Sequence, residues 1–333
     1  MSGRELLQSY IHSPLRPQLV YVAAKLGLAD ILRDGRIASC EELAQDTGTN
    51  KQALSRVLRG LVMIGILSEH EGRFCLKPPA ELLQSDHPQS MRDAAIVNGE
   101  LSAAWNGLLH TVLTGETAFN HIFGSGLFEY LANQPESGKH FKNYISKMTS
   151  RIADRVVASY DFSSFRNIVD VGGGSGVLLA AILSRNPTCQ GILFDTPRAF
   201  DNTQDNLAIA PYRDRCELVT GDFLRAVPPG GDAYLLQLVL HDWDDECAAL
   251  ILRNCRNAIS ANGTLLIVER LMTEASPYPS ELIEADLDML VLSGGRERTE
   301  LEMSALCASA RFKLINVIRM NCPWAIIEAV EES

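Results

Sequence analysis

The chain has 333 residues, of which 46% are hydrophobic and 21% are charged, so it has the composition of an ordinary globular protein and the length for two domains. Its formal charge of −11 argues against a nucleic-acid partner, and no apolar run reaches the roughly 18 residues that would cross a bilayer. The eight cysteines are scattered singly and the N-terminus lacks a signal peptide's apolar core, so we expect reduced thiols, a cytoplasmic location and no metal site.

The first half of the chain is predicted to be almost entirely helical. Ser39 begins a helix with a capping box, because Glu42 follows it three residues later. A longer helix is expected at 52–63, and residues 65–76 have the pattern of a small β-hairpin wing. Helix, turn, helix and wing in this order indicate a winged-helix-like unit.

A winged helix raises the question of DNA binding. Residues 1–160 hold 16 basic and 16 acidic side chains, whereas residues 161–333 hold 14 and 25 and carry the whole negative excess. The second helix also has a heavily apolar face, which suits contact with protein better than contact with phosphates. We therefore predict that residues 1–90 are a winged-helix-like dimerisation domain, and keep a metabolite-sensing DNA-binding regulator as the lesser alternative.

Residues 91–160 are predicted to form a helical linker, with amphipathic helices at 91–113, 128–132 and 140–160. From residue 161 the pattern changes to alternating strands and helices, which predicts an α/β fold with a doubly wound, Rossmann-like parallel sheet. Strands are expected at 167–171, 191–194, 216–220, 233–239, 264–269, 313–319 and 324–330. Helices are expected at 176–185, 199–208, 243–260, 281–292 and 299–310. No helix separates the last two strands, so the last strand should be antiparallel to its neighbour.

Residues 168–176, Ile-Val-Asp-Val-Gly-Gly-Gly-Ser-Gly, predict a nucleoside site at the end of the first strand of this sheet. Glycines let the main chain take positive φ and approach a ligand closely, and the following helix N-terminus offers unpaired N–H groups. Asp195 ends the next strand, about 25 residues after Asp170, where a carboxylate can accept from both ribose hydroxyls.

The spacing of the glycines indicates which nucleoside-containing cofactor binds there. A dinucleotide fingerprint would need a third glycine at position 177, which is Val. The observed spacing is Gly172-x-Gly174-x-Gly176, with Asp170 beside it. A carboxylate there would repel a pyrophosphate but suits the cationic amino-acid group of S-adenosylmethionine. We therefore predict S-adenosylmethionine as the cofactor and disfavour a nicotinamide dinucleotide.

Other polar residues also follow strands, and the carboxyl ends of strands form the ligand edge of an open α/β sheet. The set is Asp170, Asp195, Asp222, His241, Asp242, Glu269 and Arg270. Asp222 is placed to accept from an adenine amine while Phe223 packs on the ring. The alternative for Asp222 is a turn residue that caps a helix.

His241 is the candidate general base. Glu269 ends the fifth strand, and Glu297 lies in the polar turn 293–299. Carboxylates that orient an imidazole fix its tautomer and stabilise the imidazolium, and methylation of a phenol with a pKa of about 10 needs such a base. The alternative for the two glutamates is surface ion pairing with Arg270, Arg296 or Arg298.

Five stretches carry a family resemblance: Asp170–Gly176, Gly221–Phe223, Leu240–Glu246, Ile267–Arg270 and Asp286–Thr299. Together they resemble the small-molecule O-methyltransferases of the caffeic acid and hydroxyindole O-methyltransferase family, particularly its bacterial natural-product members, over essentially the whole chain. The resemblance implies a homodimer whose N-terminal domain completes the pocket, an S-adenosylmethionine domain at 161–333, and an aromatic small molecule as methyl acceptor.

The resemblance also implies roles for individual residues. His241 matches the family's catalytic base, and Glu269 and Glu297 match the acids beside it. The matches to cofactor contacts are Gly172, Gly174, Asp195, Asp222 and Phe223, with Trp243 near the adenine. Plant members carry Lys where this chain has Gln237, which can still hydrogen-bond the cofactor but supplies no charge. The substrate candidates by family position are Trp105, Phe128, Phe141, Asn143, Met148 and Met289.

Two further alternatives stay open beside the DNA-binding regulator. The same scaffold could methylate nitrogen or carbon, as phenazine-modifying relatives do, although the His241, Glu269 and Glu297 set favours oxygen. The second alternative is a relative that binds the cofactor without transferring a methyl group. The sequence does not identify the acceptor molecule.

Overall fold

The computed structural model of this chain describes residues 2–200, 208–274, 276–320 and 322–332. It contains two compact units, Met1–Ala103 with Gln134–Tyr144, and Ala104–Asn133 with Ile145–Ser333. In the described ranges, no helix is long and apolar enough to cross a membrane.

The first unit is a helical domain with a small three-stranded antiparallel sheet in the order β1-β3-β2. Its elements are α1 (Gly3–Ile11), α2 (Leu15–Lys25), α3 (Leu28–Ile31), β1 (Ala38–Ser39), α4 (Cys40–Thr47), α5 (Lys51–Met63), β2 (Leu67–His70), β3 (Arg73–Leu76), α6 (Pro78–Glu81) and α7 (Arg92–Leu101). The capping box is confirmed, because Ser39 Oγ accepts from the Glu42 N–H and Glu42 Oε2 accepts from the Ser39 N–H. Helices α4 and α5 followed by the β2–β3 hairpin confirm the winged-helix-like unit.

The prediction of one continuous helix over 91–113 is wrong. Helix α7 ends at Leu101, a 3₁₀ turn covers Ser102–Gly107, and α8 (Leu108–Thr114) follows. Gly107 lies against another segment, since a Cβ there would be 3.1 Å from the Ala118 Cβ and 3.2 Å from its carbonyl oxygen. This close approach is a tertiary contact, and the local pattern of apolar residues does not reveal it.

The second unit contains the main sheet and the helices that cover it. After α8 come α9 (Ala118–Phe123), α10 (Leu127–Asn133), α11 (Pro135–Ser159), β4 (Asn167–Val171), α12 (Val177–Arg185), β5 (Gln190–Asp195), α13 (Pro197–Phe200), β6 (Cys216–Thr220), β7 (Ala233–Gln237), α14 (Asp245–Ala258), β8 (Thr264–Met272), α15 (Ser280–Leu292), β9 (Arg298–Thr299), α16 (Glu300–Ser309), β10 (Phe312–Arg319) and β11 (Trp324–Glu331). Helix α11 belongs to this unit only from Ile145 onward. Of the helix predicted at 199–208, residues 201–207 lie outside the described residues.

The sheet has the order β10-β11-β8-β7-β4-β5-β6, with β9 beside the end of β8. Strands β4 to β8 pair in parallel, and β11 is antiparallel to both β8 and β10, which confirms the predicted direction of the last strand. Side chains alternate into two cores: Ile168 packs with α12 on one face, and Val169 packs with α14 on the other. The sheet is therefore doubly wound, as predicted.

Strand order reverses at β4, because the chain continues to β5 on one side and returns to β7 on the other. In an open α/β sheet the ligand cleft lies outside the carboxyl ends of the strands at such a point. The turns that follow β4, β5, β7 and β8 therefore supply the site.

Candidate active site

The turn after β4 is built around three glycines with positive φ, Gly172 (70°), Gly174 (56°) and Gly176 (73°). A Cβ on Gly172 would be 2.8 Å from Val239 Cγ2, and one on Gly176 would be 2.8 Å from Ile209 Cγ2, so both positions are closed by packing. At Gly174 a Cβ would meet nothing within 4 Å. Gly174 therefore lies on the open side of the turn, where a ligand can approach the main chain.

Asp195 lies beside this turn, as predicted. Its Oδ2 accepts from the Gly174 N–H at 2.9 Å, and its Oδ1 accepts from the Thr196 N–H at 2.6 Å. These bonds hold the carboxylate at the carboxyl end of β5. The glycine turn and the carboxylate fit a ribose-bearing cofactor, since each carboxylate oxygen can accept more than one hydrogen bond.

Asp170 is buried at the end of β4, with 2% of its surface exposed. Burial, and then the nearby charge of Asp195, raise the pKa of Asp170 to about 7. A buried carboxylate with a raised pKa favours a cation beside it, which the amino group of an amino-acid ligand would provide.

The predicted adenine residues lie close together. The rings of Phe223 and Trp243 meet edge to face with centroids 5.9 Å apart, and Phe223 also approaches Gly172. Asp222 forms a turn, because its Oδ1 accepts from the Leu224 N–H at 2.9 Å, but the described residues between this turn and β7 contain no helix, so Asp222 does not cap one. Gln237 Nε2 is buried and has no hydrogen-bond partner in the described protein, so a donor remains for a ligand.

The strand predicted at 233–239 ends at Gln237 because Leu238 turns the chain with a φ of 55°. A 3₁₀ turn then covers Leu240–Asp242, and α14 begins only at Asp245, with Asp244 as its N-cap. This sharp turn brings His241 back over the end of the sheet.

Two predicted residues contact His241 directly. The backbone N–H of His241 donates to Glu269 Oε1 at 3.1 Å, and His241 Nδ1 lies 3.1 Å from Glu297 Oε1. All three residues are buried. Because a carboxylate only accepts, Nδ1 carries the hydrogen in the neutral imidazole, and Nε2 keeps its lone pair to take a proton.

Charge at this site favours the imidazolium. Burial alone would lower the pKa of His241, but Asp242, Glu297 and Glu269 together outweigh burial and raise it to about 9. The same burial raises the pKa of Glu269 to about 7, whereas the His241 and Arg270 partners hold the pKa of Glu297 below its usual range. Glu297 is therefore the ionised partner of the imidazole.

The surface ion-pair alternative does not describe these glutamates. Arg270 does pair with Glu297, at 3.1 Å, but both side chains are almost fully buried beside His241. Arg296 pairs instead with Asp245 and Glu302.

The sequence did not reveal the role of Arg298, whose side chain is fully buried. Its guanidinium donates to the carbonyl oxygens of Leu240 at 2.9 Å and Trp243 at 2.8 Å, and to Asp245 Oδ1 at 2.9 Å. It therefore fixes the segment that carries His241 from both sides. The residue type gave no signal for this role, because an arginine in a polar turn resembles an exposed one.

The substrate candidates have different positions. Met148 lies beside the site, with its Sδ 3.9 Å from Arg270 Nη2, and Met289 accepts from the Ser293 and Gly294 N–H groups at the start of the Glu297 turn. Trp105 and Phe128 are 39% and 48% exposed in the second unit. Phe141 and Asn143 belong to the first unit, where Asn143 Nδ2 lies 3.5 Å from Asp93 Oδ1. Their contact with a substrate stays a prediction.

No group of three His, Cys, Asp or Glu side chains in the described ranges is arranged to hold a metal ion.

Comparison with protein families gives two matches. The O-methyltransferase domain matches residues 105–313, and the O-methyltransferase dimerisation domain matches residues 8–86. The dimerisation match lies in the winged-helix-like unit, and the O-methyltransferase match covers most of the sheet domain together with its preceding helices.

Individual proteins are similar over nearly the whole chain. A phenazine O-methyltransferase of Lysobacter antibioticus is 46% identical over 94% of this chain and 92% of its own length. A phenazine-1-carboxylate N-methyltransferase of Pseudomonas aeruginosa is 32% identical over 98% of this chain and 97% of its own. The crystal structure of NcsB1, an O-methyltransferase from neocarzinostatin biosynthesis in complex with S-adenosylmethionine and 2-hydroxy-5-methyl naphthoic acid, superimposes with a TM-score of 0.85. It is 30% identical and covers 95% of this chain and 96% of NcsB1.

Proposed function

This chain belongs to the O-methyltransferase family and uses S-adenosylmethionine, and from that premise we propose that it methylates a hydroxyl of an aromatic natural product, with His241 as the general base. The observation that carries the proposal is the contact between His241 Nδ1 and Glu297 Oε1 at 3.1 Å. This contact leaves Nε2 as the proton acceptor of the site.

The cofactor is proposed to bind along the turn after β4. When bound, S-adenosylmethionine supplies the electrophilic methyl group on its sulfonium. Asp195 accepts from the ribose, the open side of Gly174 admits the main-chain contact, and Asp170 faces the cationic amino group. Phe223 packs on the adenine with Trp243 near it, and Gln237 Nε2, which has no partner among the described residues, donates to the cofactor. We propose Gly172 and Asp222 as further contacts of the same ligand.

His241 is suited to take a proton from a phenol. A phenol has a pKa of about 10, and an ordinary imidazole has a pKa of about 6.5, so transfer between them is strongly uphill. The raised pKa of His241, about 9, nearly matches the phenol and brings the two proton affinities close together. Glu269 and Glu297 hold the ring and stabilise the imidazolium that results.

An oxygen acceptor explains these groups better than a nitrogen acceptor. An aromatic ring nitrogen already has a lone pair for attack, so it needs no base, whereas a phenol becomes a strong nucleophile only after it loses its proton. The N-methylating relative keeps nitrogen transfer as the second candidate.

On the basis of the same relatives, we also propose which residues line the substrate pocket and that the protein is a homodimer. Trp105, Phe128, Met148 and Met289 are proposed to supply apolar contacts to an aromatic acceptor, and Phe141 and Asn143 are proposed as further substrate contacts. Residues 1–90 form a homodimer, in keeping with the dimerisation domain matched at 8–86. The free thiols of the eight cysteines suit a cytoplasmic location.

The test is transfer of labelled methyl from S-adenosylmethionine to phenolic, indolic and phenazine acceptors by the wild type and His241→Ala. We expect transfer to a hydroxyl that falls 10²- to 10⁴-fold in the variant, the usual size of a general-base effect. His70→Ala, on the exposed wing, is the matched control and should keep full activity. Equal transfer by the wild type and His241→Ala would remove His241 as base and favour a nitrogen acceptor.

A further inference from the structure

Arg270 and His241 share one carboxylate oxygen. Glu297 Oε1 lies 3.1 Å from His241 Nδ1 and also 3.1 Å from Arg270 Nη1. The other oxygen of the same carboxylate, Oε2, is buried and has no hydrogen-bond partner in the part of the chain that the structure describes. The imidazole and the guanidinium therefore both donate to the same acceptor atom.

The guanidinium is held in a dry and rigid position. Its Cζ lies 4.2 Å from the centroid of the Trp324 ring, and Trp324 is the register partner of Arg270 between β11 and β8. Nη2 faces the Met148 sulfur at 3.9 Å, and the Arg270 side chain is only 13% exposed. Because little water reaches this charge, it acts on its neighbours more strongly than a surface arginine would.

We propose that Arg270 is a positioning residue that acts on His241 through Glu297. The arginine fixes the Glu297 carboxylate under the imidazole, and its positive charge opposes protonation of His241. It thereby keeps His241 available as a base at a lower pH than the surrounding carboxylates alone would allow. This inference rests on the proposed role of His241.

The charges around His241 show why a positive charge at Arg270 matters. Asp242, Glu269 and Glu297 each act to raise the pKa of His241. The charge of Arg298 is balanced by its contact with Asp245, and Asp286 Oδ1 accepts from the Glu297 N–H. Arg270 is thus the cation in direct contact with the carboxylate that holds the imidazole.

The sign of the effect follows from the charge of Glu297. Arg270 partly neutralises the carboxylate that stabilises the imidazolium, so removal of the Arg270 charge leaves the full charge of Glu297 to the imidazolium and raises the pKa of His241. The acid limb of the pH–rate profile would then move to higher pH, by about one unit, because the two groups lie within hydrogen-bond reach of one atom. Below the limb, one unit of displacement reduces kcat/KM about tenfold, since the neutral fraction of His241 falls by that factor.

The experiment compares Arg270→Gln with Arg270→Lys in kcat/KM measured from pH 6 to pH 10. We expect the limb of Arg270→Gln at higher pH and that of Arg270→Lys near the wild type, because lysine keeps the charge. Arg319→Gln is the matched control, since Arg319 is exposed on β10 and pairs with Glu300. If Arg270→Gln is unstable, Arg270→Met keeps an apolar stem against Trp324 and removes the same charge.

Two readouts separate this inference from the role of His241 as base. Histidine labelled with ¹³C gives the pKa of His241 directly by NMR, with the signal assigned by its loss in His241→Ala. A raised pKa in Arg270→Gln without a moved rate limb would contradict only the general-base proposal. An unchanged or lowered pKa would overturn the role of Arg270. In a Glu297→Gln background the Arg270→Gln effect should largely disappear, and an undiminished effect there would overturn the action through Glu297.

Discussion

Gly295 lies directly against the backbone of His241. A Cβ built on Gly295 would be 1.9 Å from the carbonyl oxygen of His241, which is far inside van der Waals contact. Only glycine lets the Glu297 turn reach the segment that carries the imidazole. The 3.1 Å contact between Glu297 and His241 therefore depends on a residue that takes no part in the chemistry.

Gly295→Ala is expected to reduce activity by about 10²-fold or more, because a displacement of about 1 Å at a reacting group costs this much. The methyl must move either the His241 segment or the Glu297 turn, and both outcomes break the alignment of the imidazole. Steady-state kinetics would show a lower kcat, and the melting temperature would fall as well, since the shift strains buried backbone.

Gly126→Ala is the matched control for Gly295→Ala. A Cβ on Gly126 would meet only Asn120 Oδ1, at 3.9 Å, and the residue has no positive φ. We expect this variant to keep wild-type kinetics and stability. Wild-type kcat in Gly295→Ala would mean that the His241 segment can move without loss of alignment.

The activity of the wild type should rise with pH along a limb near pH 9, where His241 loses its proton. Glu297→Gln removes a negative charge that favours the imidazolium, so the pKa of His241 falls and the limb moves to lower pH. The plateau should also fall, because the amide no longer fixes the imidazole tautomer. A pH–rate profile of kcat/KM measures both effects separately.

Glu269→Gln should move the limb in the same direction but by less. Glu269 accepts from the backbone N–H of His241, whereas Glu297 acts on the imidazole through both a hydrogen bond to the ring and its charge. A limb displaced to higher pH in either variant would contradict the charge assignment at this site.

Much of the fold follows from the sequence because its signals are local. The strand Asn167–Val171 and the capping box at Ser39 rest on residues a few positions apart, and the structure confirms both. The direction of the last strand followed from the short connection before it. Local patterns of this kind need no knowledge of what packs on them.

Other features depend on contacts that a local pattern does not contain. The 3₁₀ turn Ser102–Gly107 interrupts an apolar helical pattern, and the turn at Leu238 ends a run that continues to look like a strand. The roles of Gly295 and Arg298 likewise appear only when the turn 293–299 folds against the His241 segment. His241 and Glu269 could be named from their places at strand ends and Glu297 from the polar turn 293–299, but the residues that align them could not.

Asp170 should make the free protein less stable as pH rises. Its pKa is about 7 in the folded chain against 3.8 as a model value, so its contribution to stability is complete below pH 3.8 and is lost as pH rises to 7. Asp170→Asn, which resembles the protonated acid, should lack this loss. At neutral pH the variant should be more stable by on the order of 4 kcal/mol, the value of a pKa shift of about three units.

Urea unfolding of both proteins from pH 5 to pH 8, without cofactor, measures this difference. The variant should bind S-adenosylmethionine more weakly, since an amide offers no charge to the amino group. If the wild type loses no stability relative to Asp170→Asn over this range, burial does not raise the pKa of Asp170.

Gly174→Ala separates the backbone strain of the glycine turn from its contact with the cofactor. Gly174 has a φ of 56°, and a Cβ there would meet nothing within 4 Å, so the protein itself leaves room for a methyl. Gly48, the C-cap of α4, has a φ of 64° and equally open surroundings. Alanine at either position should cost about 1–2 kcal/mol of stability, because a left-handed conformation strains an L side chain.

Only Gly174→Ala should also weaken S-adenosylmethionine binding, by tenfold or more, because its methyl occupies the space through which the cofactor approaches the main chain. Calorimetric titration of the two variants, beside their melting temperatures, measures affinity and strain independently. Equal affinity in Gly174→Ala and Gly48→Ala would mean that Gly174 serves the turn alone. The cofactor would then have to meet this turn elsewhere than at its open side.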